Sequence, residues 1–224
     1  MKKALLFFIL AVGVNSFMPL FSDEPPRSDA WISLGYEYGL FFDKYLDGKK
    51  AVESFTGSPG ISIEGYRFFN GNNFGIFVHG FLASPAIYLV YTDDVGVRTD
   101  SDDFVANMQT GLLVGPAFRF TLDRASFKFG IGFCSLSTSL WYTEYTPDKG
   151  DGSYQKGRWS FGIGGDIGIK FNITDAVFLN TGSIFTFDFL GSISVETPYE
   201  KYSGWAKDYI MAGIRPYIAI GMNL

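Results

Sequence analysis

The stretch WSFGIGGDIGIKF, residues 159–171, alternates two kinds of side chain along its length. Phe161, Ile163, Ile167, Ile169 and Phe171 fall on one face, and Ser160, Gly162, Gly164, Asp166, Gly168 and Lys170 on the other. Successive residues of a β-strand point to opposite sides, so this strand has one apolar face and one of small and charged groups. A water-soluble barrel turns its apolar face inward and its charged face outward. A glycine-rich face instead suits the crowded inside of a small barrel, and the nearly pure Phe and Ile face suits lipid.

The same pattern recurs on either side. Strands are expected at about 30–42, 60–68, 74–82, 105–120, 126–141, 159–171, 177–189 and 209–224. In the first, Ile32, Leu34, Tyr36, Tyr38 and Leu40 oppose Ser33, Gly35, Glu37 and Gly39. In the fifth, Phe127, Phe129, Ile131 and Phe133 oppose Lys128, Gly130, Gly132 and Cys134. Short joins around Asn70-Gly71-Asn72, Asp123-Arg124 and Asn172-Ile173-Thr174-Asp175 read as tight turns. Four joins read as long polar loops: about 43–58, 84–104, 142–158 and 191–208. Short and long joins alternate, so all turns gather at one end and all loops at the other, as in outer-membrane barrels. The pattern predicts an all-β fold, an eight-stranded antiparallel up-and-down transmembrane β-barrel. Eight strands leave room inside for side chains and not for a wide aqueous pore.

Composition agrees. Of 224 residues, 47 % are hydrophobic and 18 % charged, with 24 Phe and 13 Tyr. A soluble domain carries nearer a quarter charged. No apolar run reaches the roughly 20 residues of a transmembrane helix, so the hydrophobicity is spent in alternation. The net charge of −5 argues against a nucleic-acid partner. Met1-Lys2-Lys3, the apolar run at 4–14 and the breakers Asn15, Ser16 and Pro19 predict a signal peptide over 1–22. Cleavage after Ser22 is favoured over Ser16, leaving one barrel domain over 23–224. Cys134 is the lone cysteine, so no internal disulfide forms and no lipid-anchored start is expected.

The inward face gathers Glu37, Glu64, His79, Gln109, Arg119, Lys128, Asp166, Lys170, Asp188 and Arg215 as a candidate lumen polar network. Acids and bases are nearly balanced, which favours a packed network of ion pairs over a path for solutes of one charge. His79, the sole histidine, has no adjacent serine in a hydrolase-like pattern, so no catalytic residue is assigned. One His and one Cys do not make a zinc site, and no metal or cofactor is assigned. The glycines of 162–168 miss the G-x-G-x-x-G spacing and lie within a strand. Asp93, Asp94, Asp100, Asp102 and Asp103 lack the calcium-loop spacing and read as a solvated acidic loop. Trp31, Tyr45, Tyr66, Tyr91, Trp141, Tyr142, Trp159, Trp205, Tyr209 and Tyr217 cluster near strand ends, and some are expected in aromatic belts at the membrane surfaces.

The last stretch, IRPYIAIGMNL at 214–224, resembles the closing strand of the outer-membrane protein W family, with its Pro-aromatic pair followed by a glycine. It ends in Leu224 where that family ends in an aromatic residue. The small barrels typified by outer-membrane proteins X and A are the next most similar. The protein W resemblance implies a narrow channel for small apolar compounds that opens sideways into lipid.

The sequence thus predicts a non-enzymatic protein of the bacterial outer membrane, a narrow channel or binding protein for small, apolar solutes. An alternative is a surface adhesin or interaction protein acting through its four long loops; a lipid-modifying enzyme is a third reading. The expected partners are outer-membrane lipid, the barrel-assembly machinery through the C-terminal strand, and a small apolar solute or a host surface ligand.

Overall fold

The computed structural model describes residues 30–47, 50–69, 72–92, 95–100, 104–122, 125–146, 150–196 and 201–224. The expected signal peptide over 1–22 and Asp93, Asp94, Asp102 and Asp103 lie outside these residues. The strands are β1 (Ala30–Asp47), β2 (Lys50–Phe68), β3 (Phe74–Ala83), β4 (Ile87–Thr92), β5 (Val95–Asp100) and β6 (Phe104–Leu122). They continue as β7 (Ala125–Thr146), β8 (Gly150–Asn172), β9 (Val177–Glu196), β10 (Lys201–Trp205) and β11 (Lys207–Asn223).

Eight of them close a ring. The order β1-β11-β9-β8-β7-β6-β3-β2 returns to β1, which pairs with β11 on one side and β2 on the other. Every pairing is antiparallel, so the sheet is up-and-down and its long ladders have no free edge in the middle of the membrane. Three short turns lie together at one end. Phe69 N donates to Phe74 O at 3.0 Å, Leu122 pairs with Ala125, and Ile173 N donates to Val177 O at 2.9 Å. Thr174 Oγ1 accepts from the Val177 amide at 3.0 Å, which fixes the last of these turns.

The opposite end differs from the expectation of four long loops. Most of 43–58, 84–104, 142–158 and 191–208 continues as strand, and the ladders close at Asp47↔Lys50, Thr92↔Val95 and Thr146↔Gly150. Alternation of oily and polar residues marks only the lipid-facing part of a strand. Beyond the membrane both faces accept polar groups, yet the backbone still needs hydrogen-bond partners and keeps its ladder. Ser54, Thr56 and Ser58 of β2 continue the buried inward row there.

Burial assigns the faces as alternation predicts. Phe133 is 76 % exposed on the outside, whereas Asp166 on the inside is 0 % exposed. The outward apolar positions of β1 run from Ile32 to Phe42. At about 3.3 Å per residue and a tilt near 40°, they cover about 25 Å of membrane. A bulge re-phases β9: Phe161 pairs with Leu190 and Gly162 with Asp188, leaving Phe189 extra, so Phe189 and Leu190 both face outward.

The aromatic belts are sparser than the strand-end residues suggested. Trp159 and Trp205 face outward, but Trp31, Tyr45, Tyr66, Tyr209 and Tyr217 are buried in the lumen. Parity along the strand, not nearness to its end, decides the face: Trp31 shares its row with Ser33 and Glu37. Glycine makes room for these rings. A Cβ at Gly130 would lie 2.5 Å from the Phe77 ring.

Candidate functional site

The lumen is filled in layers. Nearest the short turns is an aromatic plug: Trp31 stacks on Tyr66 at 5.2 Å between centroids and meets Phe68 at 5.0 Å. Two cations cap it. The Lys170 ammonium sits 4.1 Å from the Trp31 centroid and donates to Asn223 Oδ1 at 2.5 Å, and Arg119 lies 4.4 Å from the Phe68 centroid.

Above this lies an ionic layer. Lys128 Nζ donates to Glu64 at 2.6 and 2.8 Å and is 3.0 Å from Asp166. Glu64 also accepts from Ser33 at 2.9 Å and from Asn180. Asp166 accepts from Tyr217 at 2.8 Å and from Tyr66. His79 lies between two carboxylates, Glu37 at 3.0 Å and Glu64 at 3.7 Å, and Arg215 is 3.6 Å from Glu37. Arg215 also stacks on Phe81 at 3.8 Å. Each buried carboxylate of this layer therefore faces donors or cations from other strands, which is what allows charge to be buried at all.

All ten inward candidates are buried. Glu37, Glu64, His79, Lys128, Asp166 and Arg215 form one connected cluster. The other four lie apart. Asp188 accepts from the Cys134 thiol at 2.8 Å and from Ser160; Gln109 donates to Thr138 at 3.2 Å; Arg119 and Lys170 belong to the aromatic plug. Sequence reasoning missed the hydroxyl and amide donors Tyr66, Tyr217, Ser33 and Asn180, which the same inward parity would have identified. It also missed Asp43 and Arg158, which pair in a supposed loop region, with Ser54 donating to Asp43 and Arg158 Nη1 3.4 Å from Ser54 Oγ.

Above the ionic layer, toward the outer end, lies a narrow cleft with room for about one water, lined by Tyr45, Tyr88, Thr138, Leu140, Lys156, Arg158 and Ile193. The wall beside it is interrupted. The β3–β6 ladder ends at Ala83↔Gln109, at the level of the outward Leu82 and Met108. Beyond Pro85 the chain stays with β2, because Ser84 N donates to Pro59 O at 3.0 Å and Ala86 N to Gly57 O at 2.8 Å. There β4 pairs β2 and β5 pairs only β4, so among the described residues no ladder joins β5 to β6. Asn107 Nδ2 donates across the seam to Pro85 O at 3.2 Å. The cleft reaches both sides of the seam. Tyr88 lies on β4, and Thr138 and Leu140 are the β7 partners of Gln109 and Asn107 on β6.

No protein-family model matches the chain, and no curated protein matches it by sequence. Solved structures match its fold. The outer membrane protein OprG from Pseudomonas aeruginosa is similar at 12 % identity and TM-score 0.56, over 88 % of this chain and 96 % of that one. Outer membrane protein AlkL, solved in lipid bilayers, is similar at 10 % identity and TM-score 0.50, over 91 % and 94 %. The chain has the fold of the small outer-membrane β-barrels, of the kind formed by protein W and protein X.

Proposed function

We propose that this is a bacterial outer-membrane protein, exported with its leader over 1–22 removed, that takes in small apolar solutes at its outer end and releases them sideways into the lipid. The observation that carries this reading is the seam. Among the described residues no ladder joins β5 to β6 outward of Ala83 and Gln109, beside the cleft and starting within the apolar band. The axial route is filled by the ionic layer and the aromatic plug. An apolar solute gains little by crossing buried charge and gains its full transfer free energy by entering lipid. The likeness of the closing strand to the protein W family points the same way.

The role is non-catalytic in this reading. His79 is held by two carboxylates, and no serine or thiol is hydrogen-bonded to it among the described residues. The test pairs two measurements. In planar bilayers the purified barrel is expected to give no ion-conductance steps. Cells expressing it are expected to take up the apolar fluorophore N-phenyl-1-naphthylamine faster than cells without it, and faster again with Asn107→Ala, which releases the seam. Equal uptake with and without the protein would overturn the reading. A second reading, recognition of a surface partner, is favoured by the projecting hairpins, whose ladders run unbroken to Asp47↔Lys50 and Thr146↔Gly150. Rigid hairpins present side chains at fixed spacing. Shortening these hairpins without loss of cell adhesion would remove it.

A further inference from the structure

We infer that one outward row at the outer rim of the barrel, formed by Thr110, Ser137, Trp159, Ser192 and Trp205, seats the sugar headgroup of an outer-leaflet glycolipid. The inference rests on the barrel spanning a membrane and not on what the barrel passes. The five residues form one cross-strand row: Thr110 pairs with Ser137, Ser137 with Trp159, Trp159 with Ser192, and Ser192 with Trp205. Paired residues share a face of the sheet, and Trp159 and Trp205 are 47 % and 63 % exposed on the outside. The row therefore faces outward from β6 to β10, over about 19 Å at about 4.8 Å per strand.

The stagger of the barrel fixes the height of this row in the membrane. The ladder row through Phe42 passes Ile163 on β8, Phe133 on β7 and Val78 on β3, and returns to β1 at Ile32, ten residues before Phe42. Halfway round the eight strands, at β7, it has dropped by about five residues. The height of Phe42, at the top of the apolar band, thus falls between Ser137 and Ser139. Outward of Phe133 the two faces of β7 exchange character: Ser135, Ser137 and Ser139 point out, and Leu136 and Leu140 point in. Hydroxyls therefore stand where the neighbouring strands still expose Trp159 and Met108. Trp159 Nε1 donates to Ser135 Oγ at 3.0 Å, which fixes the ring, and Ser192 Oγ donates to Gly204 O at 3.2 Å. The hydroxyls of Thr110 and Ser137 make no hydrogen bond among the described residues.

A hydroxyl without a partner at the edge of the lipid is costly, so what covers this row brings donors and acceptors. Lipid chains cover the apolar band directly beneath, which puts their headgroup on the row. The five side chains carry no charge and suit a headgroup that binds through hydroxyls. Each indole face takes the C–H face of a sugar ring, and the hydroxyls beside it take the sugar O–H groups. The two indoles stand two strands apart, about 10 Å, and offer seats to successive sugars.

The experiment uses the full barrel in phosphatidylcholine nanodiscs, doped at equal mole fraction with a lipid whose brominated chains quench tryptophan fluorescence. Three doped lipids share their chains and differ in headgroup: digalactosyl, phosphatidylglycerol and phosphatidylcholine. The expected result is about fivefold enrichment of the digalactosyl lipid at the barrel over phosphatidylcholine. That is about 1 kcal/mol at about 1.4 kcal/mol per tenfold, the worth of one net hydrogen bond. Thr110→Val/Ser137→Ala keeps every tryptophan and should erase the enrichment. Boiling-dependent gel mobility checks that the variant is folded. Equal quenching by the three lipids, stronger quenching by phosphatidylglycerol, or an enrichment that survives the double variant overturns the inference.

Discussion

Lys128→Met should be among the most damaging single substitutions in this barrel. The ammonium sits 2.6 and 2.8 Å from the two Glu64 oxygens and 3.0 Å from Asp166, and all three side chains are buried. Methionine keeps the volume of the stem and removes the charge. Glu64 would retain Ser33 and Asn180, and Asp166 would retain Tyr66 and Tyr217, all of them neutral donors. Removing one partner of a buried ion pair costs about 3–5 kcal/mol, and neutral hydrogen bonds at about 1 kcal/mol each were already made in the parent. The expected loss is therefore about 3–5 kcal/mol, a large share of the 5–15 kcal/mol typical of a domain. Lys128→Met/Glu64→Gln removes charge from both sides and leaves Asp166 with its tyrosines. It should recover about 2 kcal/mol of the loss, because replacing both members of a buried pair is far cheaper than orphaning one. Urea unfolding in phospholipid vesicles, followed by tryptophan fluorescence and gel mobility, measures both. A single-variant loss below about 1 kcal/mol, or a double variant no better than the single, would refute the ionic layer as a stabilising core.

Other outcomes follow from the same geometry. Ile167→Arg places a cation on the lipid face near the middle of the outward apolar row of β8, which runs from Phe161 to Phe171, and should cost about 2–4 kcal/mol in the same unfolding assay. Gly130→Leu forces bulk into the seat of the Phe77 ring and should cost about 1–3 kcal/mol or more, read as a lower urea midpoint. Asp166→Asn loses the charge that Lys128 and two tyrosine hydroxyls share and should cost about 1–3 kcal/mol. Cys134 is 5 % exposed and hydrogen-bonded to Asp188, so a maleimide should label it only after boiling. Labelling of the unboiled barrel at the same rate would contradict the closed lumen.

The sequence by itself determined the barrel. A period of two, carried by residues such as Ile163, Ile167 and Ile169 against Gly162, Asp166 and Gly168, assigns each side chain to lipid or lumen without any distant contact. Within the alternating segments it also determined which charges would be buried, since burial there follows parity, whereas Asp43 and Arg158 in the outer extensions escaped it. Only the tertiary structure decided who meets whom. Lys128 on β7 reaches Glu64 on β2 across the lumen, and His79 on β3 reaches Glu37 on β1, through closure of the ring and the stagger of its ladders. Linear spacing does not encode that stagger. The strand extensions were hidden for a different reason. Outside the membrane the solvent no longer demands an oily face, so the periodic signal fades while the backbone ladder, which depends on hydrogen bonding and not on side-chain polarity, continues. The seam beside the cleft belongs to the same class. Pro85 marks it in the sequence, but only the change of neighbour, from β6 beside β3 to β5 beside β4 while both stay paired with β2, interrupts the ladder there.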